Sequence, residues 1–521
     1  MVIRAVPLPS RLSFAPASRR IARADVLCAS GVLLFALFVA RWFYGSYAFD
    51  DSFVGYAIAK NLLEGHGFAF DPGVRALTTS APLAPLVYAL FARLARADVV
   101  DVAQAFAAVA YVLLGPLAYR IFRYWSAPAG ATLAALSLVA SPFVAMLWSH
   151  ESLLALFACA LGTLCVLNGR TTLAAAAFGA AVLLRQESIL PLGVAAIALW
   201  RRDGLLDAGR FLALALAPTC AWALYAIPAF GTIFSQTMAV KIAMATYPGI
   251  ESYAIGLADF AATCFRASRA DQTYGAAILA LALVVVTVAA ASLAGTRPSR
   301  ASLAVGAASS ATIALYVGLH VAFFAWFCVP VALLVALAVA LPFQCDVAAT
   351  KSPLLRCART AAVVLAFLNV TFAARLITGE FDTVDLTGFF PASHFRDGGY
   401  RAMGALLANL PPDAVIAYEE PGQLRYYSGR TILDYQGMTH PGTAAYLQRH
   451  HPEWTLQRYR PEYFLLDVDD RNVMLDPRDL PWFAQAYRDA TGVVRVDRRG
   501  TRSRFRLYRL VRPEAIPPLP F

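Results

Sequence analysis

Eleven apolar runs, most of them close to membrane-spanning length, leave this 521-residue chain few folds to choose from. They lie near residues 24–46, 102–119, 128–148, 151–168, 171–184, 188–200, 210–229, 274–294, 302–320, 328–344 and 360–378. In hydrocarbon no water satisfies the backbone, so runs of this length become helices that close their own hydrogen bonds. The composition agrees: 59% hydrophobic and 15% charged residues, against about 25% charged for a soluble domain, with a mean hydropathy of +0.58. The expectation is a polytopic α-helical membrane protein with about eleven transmembrane helices.

The formal net charge of +11 raises nucleic acid as a partner. The arginines sit in short clusters between apolar runs instead of along one face, which is a topology signal, so no nucleic-acid role is expected. The clusters are Arg4, Arg11, Arg19, Arg20 and Arg23; Arg120 and Arg123; Arg170; Arg201 and Arg202; Arg297 and Arg300; and Lys351, Arg356 and Arg359. With eleven spans all of them fall on one side, the cytoplasmic one. The run Ala81 to Leu94 is short and carries Pro82 and Pro85. Counting it as a span would invert every later loop, so it is expected to be juxtamembrane or re-entrant.

The first apolar run is too long for a signal-peptide core and is expected to be kept as a spanning helix. Eight cysteines occur, seven in or beside apolar segments, without a CxxC or a Cys/His cluster, the pattern of neither a disulfide framework nor a zinc site. After Ile377 charge rises, Pro and Gly punctuate, and apolar runs shorten to strand length: AVIAYEE, RTILDY, YFLLDV, GVVRV and SRFRLYRLV. The expected organisation is a cytoplasmic basic arm over residues 1–23 and a transmembrane module over 24–379 with outer loops at 47–101 and 230–273. An extracytoplasmic α/β domain over 380–521 completes it.

The candidate functional residues converge on the outer face of that scheme. Asp50 and Asp51 follow the first span directly, and carboxylates at a membrane boundary are costly enough to need a reason. The competing role for them is to cap or end a helix. His66, Arg75 and the TTSAPL segment follow; then His150 and Glu151, Arg185 and Glu187 between two short apolar runs, Lys241, and His320. Arg185 and Glu187 have a plain alternative as a structural ion pair, Lys241 as a solvated loop lysine, and the histidines as hydrogen-bonded structural groups. The carboxylates could hold a divalent cation, but no second ligand set accompanies them, and no metal site is read here.

The series DD…GHGFAFDPG…TTSAPL, SHESLLALF, LLRQES, SQTMAVK and HVAFFAWFCVP resembles the bacterial GT-C glycosyltransferases, which use polyprenyl-phosphate sugars, and most of all their mycobacterial arabinofuranosyltransferase branch. The segment AVIAYEEPGQLRYYSGRTILDYQGMT is similar to the extracytoplasmic tail of that branch. Two departures stand out. Ser149-His150-Glu151-Ser152 replaces a Gly-Met-Glu-Thr-like element, and Arg185-Gln186-Glu187 replaces Arg-Pro-Glu.

The resemblance implies a multi-pass enzyme of the bacterial inner membrane. It would transfer a sugar from a polyprenyl-phosphate donor to a cell-envelope glycan or glycolipid, with Asp50 as general base and Asp51 as partner or substitute. His66, Arg75, Glu151, Arg185, Glu187 and Lys241 would bind substrate. Independent chemistry fits: nucleotide sugars are cytoplasmic, so transfer on the outer face needs an activated lipid-linked donor. A phosphate leaving group lets one carboxylate suffice, unlike the pair needed for glycoside hydrolysis. A transporter or flippase of a lipid-linked saccharide is the alternative. Such proteins usually show internal repeats, and none is visible here.

Overall fold

The computed structural model describes residues 23–43, 50–248, 250–265, 275–296, 298–344, 352–377, 399–468, 474–498 and 501–519. Residues 1–22 of the basic arm and residues 378–398 lie outside that set. Each of the eleven apolar runs contains a helix among the described residues. Six helices among the described residues are long and apolar enough to cross a membrane unaided: Arg23–Phe43, Val99–Phe122, Leu205–Phe230, Arg300–Gly318, Ala325–Phe343 and Pro353–Arg375. Shorter apolar helices stand among them, including Glu151–Leu167 and Thr171–Leu184. At 1.5 Å per residue a 14-residue helix is about 21 Å long, less than the ~30 Å hydrocarbon core. The chain is a membrane protein.

The helices begin and pack for local reasons. Asp98 caps Val99–Phe122 by accepting from Val100 N at 2.8 Å, and Pro128 opens Pro128–Ala140, where a missing N–H costs nothing. Close approach rests on small residues. A Cβ on Gly179 would stand 2.5 Å from the Ala215 carbonyl oxygen, so Thr171–Leu184 meets Leu205–Phe230 backbone to backbone. The main core gathers Phe43, Tyr111, Leu138, Trp148 and Trp326 from five segments of the chain.

Two short helices, Asp50–Leu63 and Leu83–Ala95, are not among the six, and pack against each other through Tyr56 and Tyr88. Beyond them the last part of the chain forms a five-stranded sheet, and all five strand-like runs seen in the sequence are strands. They are β1 (Val415–Tyr418), β2 (Thr431–Asp434), β3 (Tyr463–Asp467), β4 (Tyr487–Arg498) and β5 (Thr501–Leu510). Their order is β2-β1-β3-β5-β4. β1 runs parallel to β2 and β3, while β5 runs antiparallel to β3 and β4. In a parallel set the carboxyl ends of the strands share one edge. Glu419 and Glu420 follow β1 there, with the helix Pro421–Ser428 next, and that edge meets the first turn of Asp50–Leu63.

Candidate active site

Asp50 and Asp51 open the same helix, where the free N–H groups favour negative charge, yet they face different neighbours. Asp50 is 3% exposed. Its Oδ2 accepts from Gly422 N at 2.9 Å and its Oδ1 from Gln423 N at 2.7 Å. Burial pushes its carboxyl well up, the Glu420 charge adds to the rise, and the two N–H groups oppose it. Asp51, with 31% of its side chain exposed, instead reaches Lys241 Nζ at 3.1 Å.

Lys241 lies on Gln236–Met244 and is buried. Its ammonium sits 4.2 Å and 4.4 Å from the ring centroids of Phe324 and Trp326, a cation–π setting with little water. That burial lowers its pKa, and the Asp51 carboxylate beside it works the other way. The TTSAPL segment is held to the same helix, since Thr237 Oγ1 donates to Thr78 O at 2.7 Å and Gln236 N to Leu77 O at 2.9 Å.

Arg185 stands where an extended residue (φ −154°, ψ 117°) interrupts Thr171–Leu184, ahead of a short 3-10 turn and Ile189–Asp203. Its Nε pairs with Glu187 Oε1 at 2.7 Å and its Nη1 lies 3.7 Å from Glu151 Oε1. Tyr316 OH donates to the same Glu187 oxygen at 2.7 Å. The guanidinium also lies 5.4 Å from the Phe327 ring centroid. His150 caps Glu151–Leu167 by accepting from Ser152 N, stacks on Trp326 at 4.9 Å, and holds Nε2 3.5 Å from Glu151.

These side chains border two cavities. A polar pocket of about 50 Å³ is lined by Asp51, His150, Glu151, Arg185, Lys241 and Trp326, with Pro421, Met438 and Thr439 contributed by the C-terminal domain. Beside it an apolar cavity of about 670 Å³ starts at Arg185, Glu187, Tyr316 and Trp326 and reaches Arg201, Arg202 and Arg300. Arg201 lies 12 residues past Ile189 and Arg300 lies 16 before Tyr316, which puts those arginines about 18–24 Å along their helices. Arg185 and Trp326 belong to both walls.

Of the residues singled out in the sequence, Asp51, Glu151, Arg185 and Lys241 line the polar pocket, with Glu187 behind Arg185. Asp50 lies under the C-terminal domain. His66 is half exposed, 3.8 Å from Glu64, and Arg75 is exposed; neither lines either cavity. Tyr316, Pro421, Met438 and Thr439 were not singled out. Pro421, Met438 and Thr439 all lie inside the quoted segment AVIAYEEPGQLRYYSGRTILDYQGMT, whereas Tyr316 is a lone tyrosine in an apolar run and gives no signal. Among the described residues no group of three or more His, Cys, Asp or Glu is arranged to hold a metal ion.

This arrangement of helices and terminal domain matches the crystal structure of ArnT from Cupriavidus metallidurans in the apo state. The TM-score is 0.56 at 15% identity, over 95% of this chain and 99% of that one. The chain has the GT-C glycosyltransferase fold. ArnT from the same organism bound to undecaprenyl phosphate matches this GT-C chain with a TM-score of 0.51 at 14% identity, over 92% and 97% of the two chains. The cryo-EM structure of the arabinofuranosyltransferase AftD from Mycobacteria matches at 0.47 and 14% identity, over 94% of this chain and 42% of that one. Residues 392–508, within the C-terminal domain, match a family model described as a domain of unknown function, DUF8728. No curated protein sequence matches the chain.

Proposed function

We infer that this protein is a membrane glycosyltransferase that moves a hexosyl or pentosyl unit from a polyprenyl-phosphate donor to a hydroxyl of a cell-envelope glycan or glycolipid. The reaction takes place at the outer face of a bacterial inner membrane. One observation carries the reading: a carboxylate, Asp51, and two buried cations, Lys241 and Arg185, border a small polar pocket that shares a wall with a long apolar cavity. The apolar cavity suits a prenyl chain. Arg185 and Lys241 suit its phosphate, and ArnT, which shares the fold, has been solved with undecaprenyl phosphate bound.

In the proposed reaction Asp51 takes the proton of the acceptor hydroxyl as that oxygen attacks the anomeric carbon. The bond from that carbon to the phosphate oxygen breaks, and its electron pair leaves with polyprenyl phosphate. The charge gathering on the departing phosphate is met by Arg185 and Lys241, in a site too dry for water to screen it. A single displacement of this kind inverts the anomeric centre. Asp51 is favoured over Asp50 as base because both oxygens of Asp50 already accept backbone N–H groups, whereas Asp51 borders the pocket. Glu187 holds the Arg185 guanidinium in plane, and Glu151 lines the sugar side of the pocket.

The test is transfer from synthetic polyprenyl-phosphate sugars by purified, folded protein in proteoliposomes. Asp51→Asn is expected to abolish transfer and retain donor binding. Undiminished transfer in Asp51→Asn, Asp50→Asn and the double variant would sink the base assignment. Movement of intact donor across the bilayer without a glycosylated product would favour the transporter instead.

A further inference from the structure

The helix Pro421–Ser428 has no cap of its own. Glu420 precedes it, but its carboxylate accepts from Tyr400 OH at 2.7 Å and makes no capping bond to the helix, so the first N–H groups have no acceptor in the residue before them. The acceptor is Asp50, 372 residues earlier in the chain, which takes the N–H groups of Gly422 and Gln423 on its two oxygens. A carboxylate at a helix N-terminus is favoured both by its hydrogen bonds and by the helix dipole. The cap therefore comes from the membrane module, one residue from Asp51.

The same short helix is tied down by three more polar contacts and by ring packing. Lys60 Nζ donates to the Tyr426 carbonyl at 3.1 Å. Arg425 Nε lies 2.8 Å from Asp71 Oδ1 with both side chains buried. Tyr426 OH donates to Asp98, which also caps Val99–Phe122. Phe53 packs against the rings of Tyr426 and Tyr427. The fit at Gly422 is close enough to exclude a side chain: a Cβ there would stand 2.2 Å from the Asp50 carbonyl oxygen and 3.0 Å from Phe53 Cβ.

We propose that this helix of the C-terminal domain is a positioning element of the catalytic site, fixing Asp50 and through it the first helical turn that turns Asp51 toward Lys241. The proposal rests on the reading of Asp51 as base. It gives residues 392–508 a role: they hold the reacting carboxylate in register and, with Pro421, Met438 and Thr439, wall the pocket. Asp50 is then a positioning residue, not a catalytic one. A base displaced by about 1 Å loses on the order of a hundredfold in rate with little change in ground-state binding.

Gly422→Ala isolates the effect. The backbone of Gly422 is not left-handed and alanine is the better helix former, so the substitution leaves the helix itself sound and strikes its seat on Asp50 and the adjoining Phe53. Turnover of the full-length protein, corrected for folded fraction, is expected to fall roughly ten- to a hundredfold with donor KM within about twofold. Asp71→Asn, which loosens the same helix without touching Asp50, is expected to cost only a few-fold in kcat. If Gly422→Ala does not fold, Asp50→Asn takes its place with the same readout, because an amide cannot accept both N–H groups. Wild-type kcat in Gly422→Ala beside an inactive Asp51→Asn would overturn this inference alone, as would equal losses in Gly422→Ala and Asp71→Asn. Wild-type turnover in Asp51→Asn would remove the base assignment and this inference with it.

Discussion

The two cavities that share Arg185 and Trp326 are built on opposite principles. The polar pocket is small, about 50 Å³, and most of its lining residues carry a charge, a hydroxyl or a ring. The apolar cavity is more than ten times larger, about 670 Å³, and between its two charged ends it is lined mostly by Ala, Leu, Val and Ile. Buried charge must be compensated at short range, so Asp51 with Lys241 and Glu151 and Glu187 with Arg185 draw their walls together. Apolar walls make no such demand and leave room for a flexible hydrocarbon occupant. On the proposed reading chemistry belongs to the first cavity and chain recognition to the second, with the shared Arg185 where a phosphate would join them.

That division is broken most directly at Asp51. Removal of its charge by Asp51→Asn is expected to lower kcat by about a thousandfold, within the range general bases supply, while the KM for donor stays close to wild type. A large rise in KM at unchanged kcat would mean that Asp51 binds and does not react.

At the boundary the effect is smaller and changes kind. Lysine in place of Arg185 keeps the charge but loses the planar fork that can meet Glu187 and a phosphate at once. Arg185→Lys is expected to raise the KM for donor by about tenfold and leave the KM for acceptor unchanged. Glu187→Gln is expected to follow the same pattern more weakly. A loss of folded yield with no donor-specific defect would show that the pair is structural, the alternative that its 2.7 Å contact also satisfies.

How much of this was legible in the sequence differs between the same two regions. The apolar cavity is written in helical runs, and these were readable because long hydrophobic runs have few other outcomes, though only six of the described helices reach spanning length. The polar pocket was readable only as a set of charges that fell on one side, which brought Asp51, Glu151, Arg185 and Lys241 together and included His66 and Arg75, which stand apart. Sequence order could not say which of two adjacent aspartates would turn toward the pocket. That depends on a helix 372 residues away, a contact of the tertiary fold alone. Nor could it reveal Tyr316, whose hydroxyl matters only because Glu187 lies beside it.

The apolar cavity can be tested without touching the chemistry. Ala304 lines it one helical turn from Arg300 and 12 residues from Tyr316, about 18 Å from the polar end. Ala304→Phe fills that distant part. It is expected to raise the KM severalfold for donors with long prenyl chains and to leave short-chain donors unaffected, with kcat constant for both. An equal effect on short and long donors would place the chain elsewhere.

The last and smallest effect concerns Lys241, the cation on which the polar pocket depends. Burial lowers its pKa and Asp51 only partly restores it, so it gives up its proton at a lower pH than an exposed lysine. The charged form is the one that meets phosphate. Donor affinity is therefore expected to weaken as pH rises through the folded pKa of Lys241, on the alkaline side, and to be constant below it. Arginine keeps its proton throughout that range, and its broader cation can still lie over Phe324 and Trp326. Lys241→Arg is accordingly expected to cost a few-fold in donor affinity at neutral pH and to move the alkaline fall to higher pH. Binding of donor to purified wild type and Lys241→Arg across pH, at fixed ionic strength, decides it. An alkaline fall at the same pH in both proteins would assign the titration to a different group and leave Lys241 as a partner of Asp51 alone.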